Sequence, residues 1–277
     1  MKPQPIIFTD LDGTLLEHQT YSFTAALPAL ELVKKRGIPL TFCSSKTGAE
    51  IEYWREKIGN HCPFISENGG GIFIPQSYFA ADELDSVWEK TKKNGEYFVL
   101  ILGTTYHRLC QALEELRRDG IEVNGFGDMN VAEVAEIAGL SLEEAEMAKR
   151  RDFDEPFTFS GDQARVRTLL AAIEEKGLRS TVGGRFYHLM GDNDKGKAVD
   201  ILKKLYQKKF GDIVTIAFGD SPNDLPMLER VDYPILVQNY KGEHDQRITI
   251  PNLIRAEGIG PEGWNRAMLK FMQDKHL

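Results

Sequence analysis

Four short segments of this 277-residue chain combine carboxylates, hydroxyls and a lysine in patterns suited to phosphate chemistry. They are Asp10-Leu11-Asp12-Gly13-Thr14, Ser44-Ser45-Lys46, Asp194-Lys195-Gly196 and Gly219-Asp220-Ser221-Pro222-Asn223-Asp224. If the segments converge, the carboxylates of Asp10, Asp12, Asp220 and Asp224 repel one another. At ~4 Å and an effective dielectric of ~20, each like-charged pair costs ~4 kcal/mol. A multivalent cation among them removes that cost, and an all-oxygen donor set suits magnesium. A carboxylate such as Asp10 is ionised at neutral pH and, unlike serine, needs no activating base to attack phosphorus. Asp12, two residues on, can reach a leaving oxygen while Asp10 faces phosphorus. It suits the general acid for departure and the general base for water. Gly13 allows close backbone approach in a tight turn, and Thr14 supplies a hydroxyl there.

The flanking sequence says how such groups could meet. Ile6-Ile7-Phe8-Thr9 is a short apolar run of the buried parallel-strand type, ending at Asp10. Ala26, Ala29, Leu30 and Val33 share one face and predict a helix over 24–36, with Pro28 early and Gly37 as a stop signal. A second strand over 38–43 ends at Ser44, a helix follows over 48–58, and a third strand over 63–66 runs into Glu67-Asn68-Gly69-Gly70-Gly71. Ile213-Val214-Thr215-Ile216-Ala217-Phe218 is a further buried-strand run, ending at Gly219-Asp220. Lys195 opens a long helix over 195–208, near a terminus that already favours anions. This alternation predicts an α/β fold, a Rossmann-like doubly wound parallel sheet with right-handed crossovers. Ligands of such sheets bind beyond the carboxyl ends of the strands, where Asp10, Ser44 and Asp220 fall.

The middle of the chain behaves differently. It reads as a strand over 97–102, a helix over 105–118 and a short strand over 121–123. Short helices follow over 130–138 and 141–151, the second opened by a capping box at Ser141 and Glu144. Strands over 153–159, 179–182 and 186–190, with a helix over 162–176, complete the unit. The expected organisation is a core of residues 1–75 and 191–277, interrupted by an inserted α/β cap over 76–190.

Composition excludes several classes. A net charge of -8 without a long basic run disfavours nucleic-acid binding. No stretch approaches ~20 consecutive apolar residues, so no membrane span is expected. The first strand begins at Ile6, which leaves no room for a signal peptide. Cys43, Cys62 and Cys110 lack metal-type spacing and fit free thiols in a reducing cytoplasm. The histidines show no paired ligand spacing, which disfavours zinc.

Taken in order, three of the four segments closing apolar strands, the set resembles the haloacid dehalogenase superfamily over residues 5–75 and 191–277. Members transfer phosphoryl groups through an aspartyl-phosphate, which the resemblance assigns to Asp10. It further implies that Ser44 donates to a phosphate oxygen, with Ser45 as its competitor. Lys195 would neutralise the phosphate and steady Asp10. Asp10 and Asp220, with the backbone carbonyl of Asp12, would hold Mg2+. Asp224 is either a ligand through water or an anchor, Asn223 either touches phosphate or holds the loop, and Lys46 faces either substrate or solvent. The nucleophile is not followed by Lys-Thr-Gly-Thr, which excludes a transport ATPase.

A finer resemblance, to the mannosyl-3-phosphoglycerate phosphatases within that superfamily, rests partly on stretches outside those segments. They are Arg151-Asp152-Phe153-Asp154-Glu155-Pro156-Phe157, Gly184-Arg185-Phe186-Tyr187-His188-Leu189 and Gly260-Pro261-Glu262-Gly263-Trp264. It implies a small phosphorylated glycoside as substrate, 2-O-(α-D-mannosyl)-3-phosphoglycerate, hydrolysed to the compatible solute mannosylglycerate. Its carboxylate favours a bidentate Arg, with Arg185 the first candidate and Arg165 the second. The turn at Glu67-Asn68-Gly69-Gly70 would expose backbone amides or the Asn side chain to substrate, making Asn68 and Gly69 candidates. Tyr187 and His188 alternate on a strand, so one packs and the other faces away. The competing readings are a phosphatase for the glucosyl analogue or a hexose phosphate, a phosphomannomutase-like transferase, and an inert binding protein. Intact Asp10, Asp12, Lys195 and Asp220 argue against the last.

Overall fold

In the computed structural model, which describes residues 2–183 and 186–275, the first apolar run forms β1 (Gln4–Thr9), buried along most of its length. Next come α1 (Leu27–Lys35), whose Ala29, Leu30 and Val33 turn inward, β2 (Leu40–Phe42), and α2 (Gly48–Ile58), opened by a Thr47–Glu50 capping box. After β3 (Phe64–Ser66), β4 (Gly71–Pro75) and α3 (Ala81–Leu84), β5 (Thr91–Asn94) and β6 (Tyr97–Ile101) form a hairpin.

The chain then builds α4 (Tyr106–Arg118), β7 (Asn124–Gly125), α5 (Val131–Ala138), α6 (Leu142–Ala148) and β8 (Asp154–Thr158). α7 (Gln163–Glu175), β9 (Arg179–Gly183) and β10 (Phe186–Met190) follow. It closes with α8 (Lys195–Phe210), β11 (Ile213–Gly219), α9 (Leu225–Leu228), β12 (Tyr233–Gln238), β13 (Ile254–Ile259) and α10 (Pro261–Asp274).

The central sheet is parallel, in the order β13-β12-β11-β1-β2. A parallel bridge between Cys43 and Ile65 leads on to the antiparallel set β3-β4-β6-β5. Apolar residues cover both faces: Trp264 and Met268 of α10 lie with Ile216 and Phe218, while Leu202 and Leu205 of α8 lie with Ile6 and Phe8. A separate antiparallel sheet, β7-β8-β10-β9, packs Phe157 and Leu189 against Leu109 and Leu113 of α4 and Leu169 and Ile173 of α7. Among the described residues, no helix is long and apolar enough to cross a membrane.

The boundary expected at residue 76 is corrected here. β6 pairs with β4 from Gly71↔Ile101 to Pro75↔Tyr97, so the 91–101 hairpin extends the central sheet and the insertion begins only after Gly103. Buried Val99 and Leu100 explain this, because they finish the apolar layers that Phe73 and Ile72 begin. Two smaller differences follow from local bonding. The strand expected over 121–123 lies at β7, and the helix expected to reach 151 stops at Ala148, whose carbonyl accepts from Arg151 Nε at 3.0 Å.

Candidate active site

The parallel register between β1 and β11 sets Thr9 opposite Phe218, so Asp10 and Asp220 emerge at the same edge of the sheet. Asp10 N donates to Phe218 O at 3.0 Å. Lys195, the first residue of α8, has no exposed surface. Its Nζ donates to Asp10 Oδ1 at 2.7 Å and to Asp224 Oδ1 at 2.6 Å. Burial opposes its charge, but the Asp10 and Asp224 carboxylates outweigh burial and hold the ammonium above its usual range. The other Asp224 oxygen accepts from Asp220 N at 2.9 Å and Ser221 N at 3.2 Å. Asp224 is thereby a clamp between the lysine and the loop.

Burial lifts the Asp10 carboxyl to about 7; Lys195 pulls it down, and Asp224 and Asp12 push it back up. Full ionisation of Asp10 at neutral pH therefore requires more positive charge than Lys195 brings. Asp220 is pushed well above the ordinary carboxylate range by burial and by the charges of Asp224 and Asp10. Asp10, Asp220 and Asp224 each present a carboxylate oxygen within 4.8 Å of the others. The Asp12 Oδ1 atom is buried with no hydrogen-bond partner among the described residues. Gly13, at φ +78°, leaves the loop room to close: a Cβ there would lie 2.7 Å from Asp220 Oδ2. Hard oxygen donors with surplus negative charge are the chemistry a small divalent cation requires.

A strained turn couples this edge to the insertion. Glu67, Asn68 and Gly69 all have left-handed backbones, at φ 49°, 53° and 87°. Each non-glycine residue so placed costs ~1–2 kcal/mol. Hydrogen bonds offset that strain. The Glu67 carboxylate accepts from the backbone N–H groups of Asp152, Phe153 and Asp154 at 2.8–3.1 Å. Asn68 Nδ2 donates to Asp154 Oδ2 at 2.7 Å, and Asn68 Oδ1 accepts from Asn223 Nδ2 at 3.1 Å. Arg151 Nη1 donates to Ser45 O at 2.9 Å and stands 3.5 Å from Asp154 Oδ1. Lys46 Nζ lies 3.1 Å from Asp12 Oδ2 and 3.3 Å from Glu50 Oε1.

Gly69 packs so closely on the start of α8 that an added Cβ would sit 2.2 Å from Asp194 O and 3.0 Å from Lys195 N. Gly69→Ala is therefore expected to destabilise the protein by about 2–4 kcal/mol, from overpacking and left-handed strain together. It should also lower turnover by shifting Lys195. Chemical denaturation and phosphate release check the pair, and a variant as stable as the parent would contradict this packing.

A cavity of about 420 Å³ opens over the edge, lined by Asp10, Asp12, Ser45, Lys46, Asp220 and Asn223 from the core, with Arg151, Phe186 and His188 from the insertion. Other expected site residues lie behind this wall. Lys195 and Asp224 are buried beneath Asp10. Ser44 is buried, its Oγ accepting from Lys46 N at 3.3 Å, so of the two adjacent serines it is Ser45 that lines the cavity. Three expectations for substrate contact are corrected. The Asn68 amide is already engaged at both ends, and Gly69 packs on Asp194, so both support the site from behind. Arg165, in the first turn of α7, is exposed beside Glu122 at 3.8 Å and over the Phe159 ring, away from the cavity. Arg185 lies outside the described residues.

Glu50, Glu67, Arg151 and Asp154 were not anticipated as site residues. Their signal was present: a charged run, Arg151-Asp152-Phe153-Asp154-Glu155, leading into a strand whose other residues are core, and a Glu-Asn-Gly turn directly after β3.

Comparison with known proteins places this geometry in a family. The model for haloacid dehalogenase-like hydrolases matches residues 7–247. A glucosyl-3-phosphoglycerate/mannosyl-3-phosphoglycerate phosphatase of Methanococcoides burtonii is 49% identical over 268 residues, 96% of this chain and 97% of that protein. A protein of the same name from Persephonella marina is 40% identical over 271 residues, 97% of each. Among solved structures, a Thermoplasma acidophilum protein superposes with a TM-score of 0.69 at 17% identity, covering 98% of this chain and 99% of its own. With two-thirds of its length and more aligned to such relatives, the chain belongs to the haloacid dehalogenase-like hydrolases.

Proposed function

We propose that this chain is a Mg2+-dependent phosphomonoesterase that hydrolyses 2-O-(α-D-mannosyl)-3-phosphoglycerate to mannosylglycerate and phosphate, and accepts the glucosyl analogue. The observation carrying the substrate is the 49% identity, sustained over 96% of the chain, with a phosphatase named for both compounds. The carboxylate cluster over the cavity supports the chemistry.

Asp10 is the nucleophile in this reading. Lys195 occupies Oδ1, which leaves Oδ2 to attack phosphorus and form the acyl phosphate. Lys195 also balances the charge gathering on the reacting oxygens. Asp12 protonates the departing glyceryl oxygen and then takes a proton from the water that cleaves the acyl phosphate. Its Oδ2 is held by Lys46, so Oδ1, without a partner among the described residues, is the atom to carry that proton. Ser45, on the cavity wall, faces the phosphate, with Ser44 buried behind it. Asp10, Asp220 and the Asp12 carbonyl would hold magnesium, which when bound neutralises the carboxylates and polarises the phosphoryl group. The same reading sets the enzyme in a reducing cytoplasm, in keeping with three free cysteines.

Phosphate release measured over glycosyl-3-phosphoglycerates, hexose phosphates and nucleotides tests the assignment; a preference for hexose phosphates would overturn the substrate. A requirement for a bisphosphate activator, without stoichiometric phosphate, would favour the mutase. Chelation with EDTA is expected to stop the reaction and added Mg2+ to restore it. Turnover undiminished by EDTA would remove the metal.

A further inference from the structure

His188 is a cavity-lining group to which the scheme above gives no task. On β10, Tyr187 turns to the opposite side and stacks on Phe157 with centroids 5.6 Å apart, while His188 reaches the cavity. His188 Nδ1 is 2.8 Å from Asp154 Oδ1. Asp154 has no exposed surface, and its other oxygen accepts from Asn68. Burial works against its charge, yet His188, Arg151 and Asn68 together hold this carboxyl below its usual range. An ionised carboxylate only accepts, so Nδ1 carries the hydrogen, and in the neutral ring Nε2 is left as an acceptor.

The surroundings of Nε2 indicate what it accepts from. Among the described residues, it has no hydrogen-bond partner. Gly183 of β9 faces it: a Cβ there would lie 3.4 Å from His188 Nε2 and 3.1 Å from Asn223 Nδ2. The glycine thus keeps open a spot flanked by an acceptor and a donor. One Asn223 Nδ2 hydrogen goes to Asn68 Oδ1, and an amide nitrogen carries two. An acceptor and a donor converging on one point match a hydroxyl, which gives its hydrogen to the first and accepts from the second. A carboxylate, having no hydrogen to give, would be repelled by Nε2.

We propose that His188 Nε2 and Asn223 Nδ2 together bind one hydroxyl of the substrate in front of Gly183. Resting on the function proposed above, this assigns the hydroxyl to the sugar, because a 2-O-glycosyl-3-phosphoglycerate has no other. His188 is then the residue by which the insertion reads the glycosyl unit, oriented by Asp154.

The test compares mannosyl-3-phosphoglycerate with two hydroxyl-free esters, phosphoglycolate and p-nitrophenyl phosphate. His188→Phe is expected to raise KM for the glycosyl substrate about tenfold or more, the cost of a substrate hydroxyl left without its acceptor, with kcat changed less than about threefold. KM for the hydroxyl-free esters should move far less. Gly183→Ala, which fills the spot while leaving the His188–Asp154 bond intact, should reproduce that split and guards against His188→Phe acting through misfolding. Equal KM changes on all three esters, or losses confined to kcat, would overturn the inference while leaving the proposed function standing. Wild-type protein that releases phosphate from phosphoglycolate but from no glycosyl-3-phosphoglycerate would sink both.

Discussion

Asp10→Asn is expected to lower phosphate release by about 10⁴-fold or more while the protein remains folded. The size follows from removing the nucleophile of a covalent route, because what survives is only the contribution of binding and charge stabilisation. Retention of the fold follows from the geometry. The amide oxygen of Asn still accepts from Lys195 Nζ, which keeps its second partner in Asp224 at 2.6 Å. The lost charge is one that the folded state disfavours, since burial lifts this carboxyl to about 7 against an ordinary 3.8. The folded state therefore holds the proton more tightly than the unfolded chain does. Without added metal, this residue's contribution to stability falls as pH rises from 3.8 towards about 7, and Asn removes that decline. Phosphate assays on purified protein, with thermal melts across that range, check both halves. Near-normal release would take Asp10 out of the nucleophile's role.

Groups placed by a local device were legible in the sequence. Asp10 and Asp220 each end an apolar run, and parallel strands in register carry such ends to one edge without further information. Lys195 opens a helix that the Asp194 side chain caps, its Oδ1 accepting from Lys197 N at 2.7 Å, so the lysine's position too is set by its neighbours in sequence. Contacts set by distant partners were not legible. Tyr97–Ile101 reads as a strand in isolation, but only the pairing with Gly71–Pro75 assigns it to the core. Asn68 looked like a loop side chain offered to substrate; the two partners that consume its amide, Asp154 and Asn223, lie 86 and 155 residues away. Arg165 carried the right chemistry for a carboxylate, but it sits in the exposed first turn of α7 beside Glu122, outside the cavity lining. The family pattern favoured Ser44 over its neighbour Ser45; in the structure Ser44 is buried, its Oγ accepting from Lys46 N, and Ser45 is the one on the cavity wall.

Lys195→Met should damage the protein more broadly than Asp10→Asn, and the contrast isolates what the lysine does. Methionine fills nearly the same volume, so packing around α8 is largely kept. The charge is what disappears. Asp10 and Asp224 would then be buried side by side with no cation of the chain between them, and removing one partner of a buried pair costs about 3–5 kcal/mol. Turnover should fall by about 10³-fold, the loss expected when a preorganised charge facing the reacting oxygens is removed. The stability cost should itself depend on pH. On acidification the Asp10 carboxyl, already raised by burial, takes up its proton and the repulsion fades, so the gap between variant and parent should narrow there and widen towards neutrality. Adding Asp224→Asn to Lys195→Met should recover part of the lost stability, because it removes one of the stranded charges, and little of the activity. Denaturant titrations of the four proteins of that cycle, at acid and neutral pH, measure the coupling. A Lys195→Met protein as stable as its parent at neutral pH would mean that the buried carboxylates hold their geometry without it, and that the lysine's place at the head of α8 serves the reaction alone.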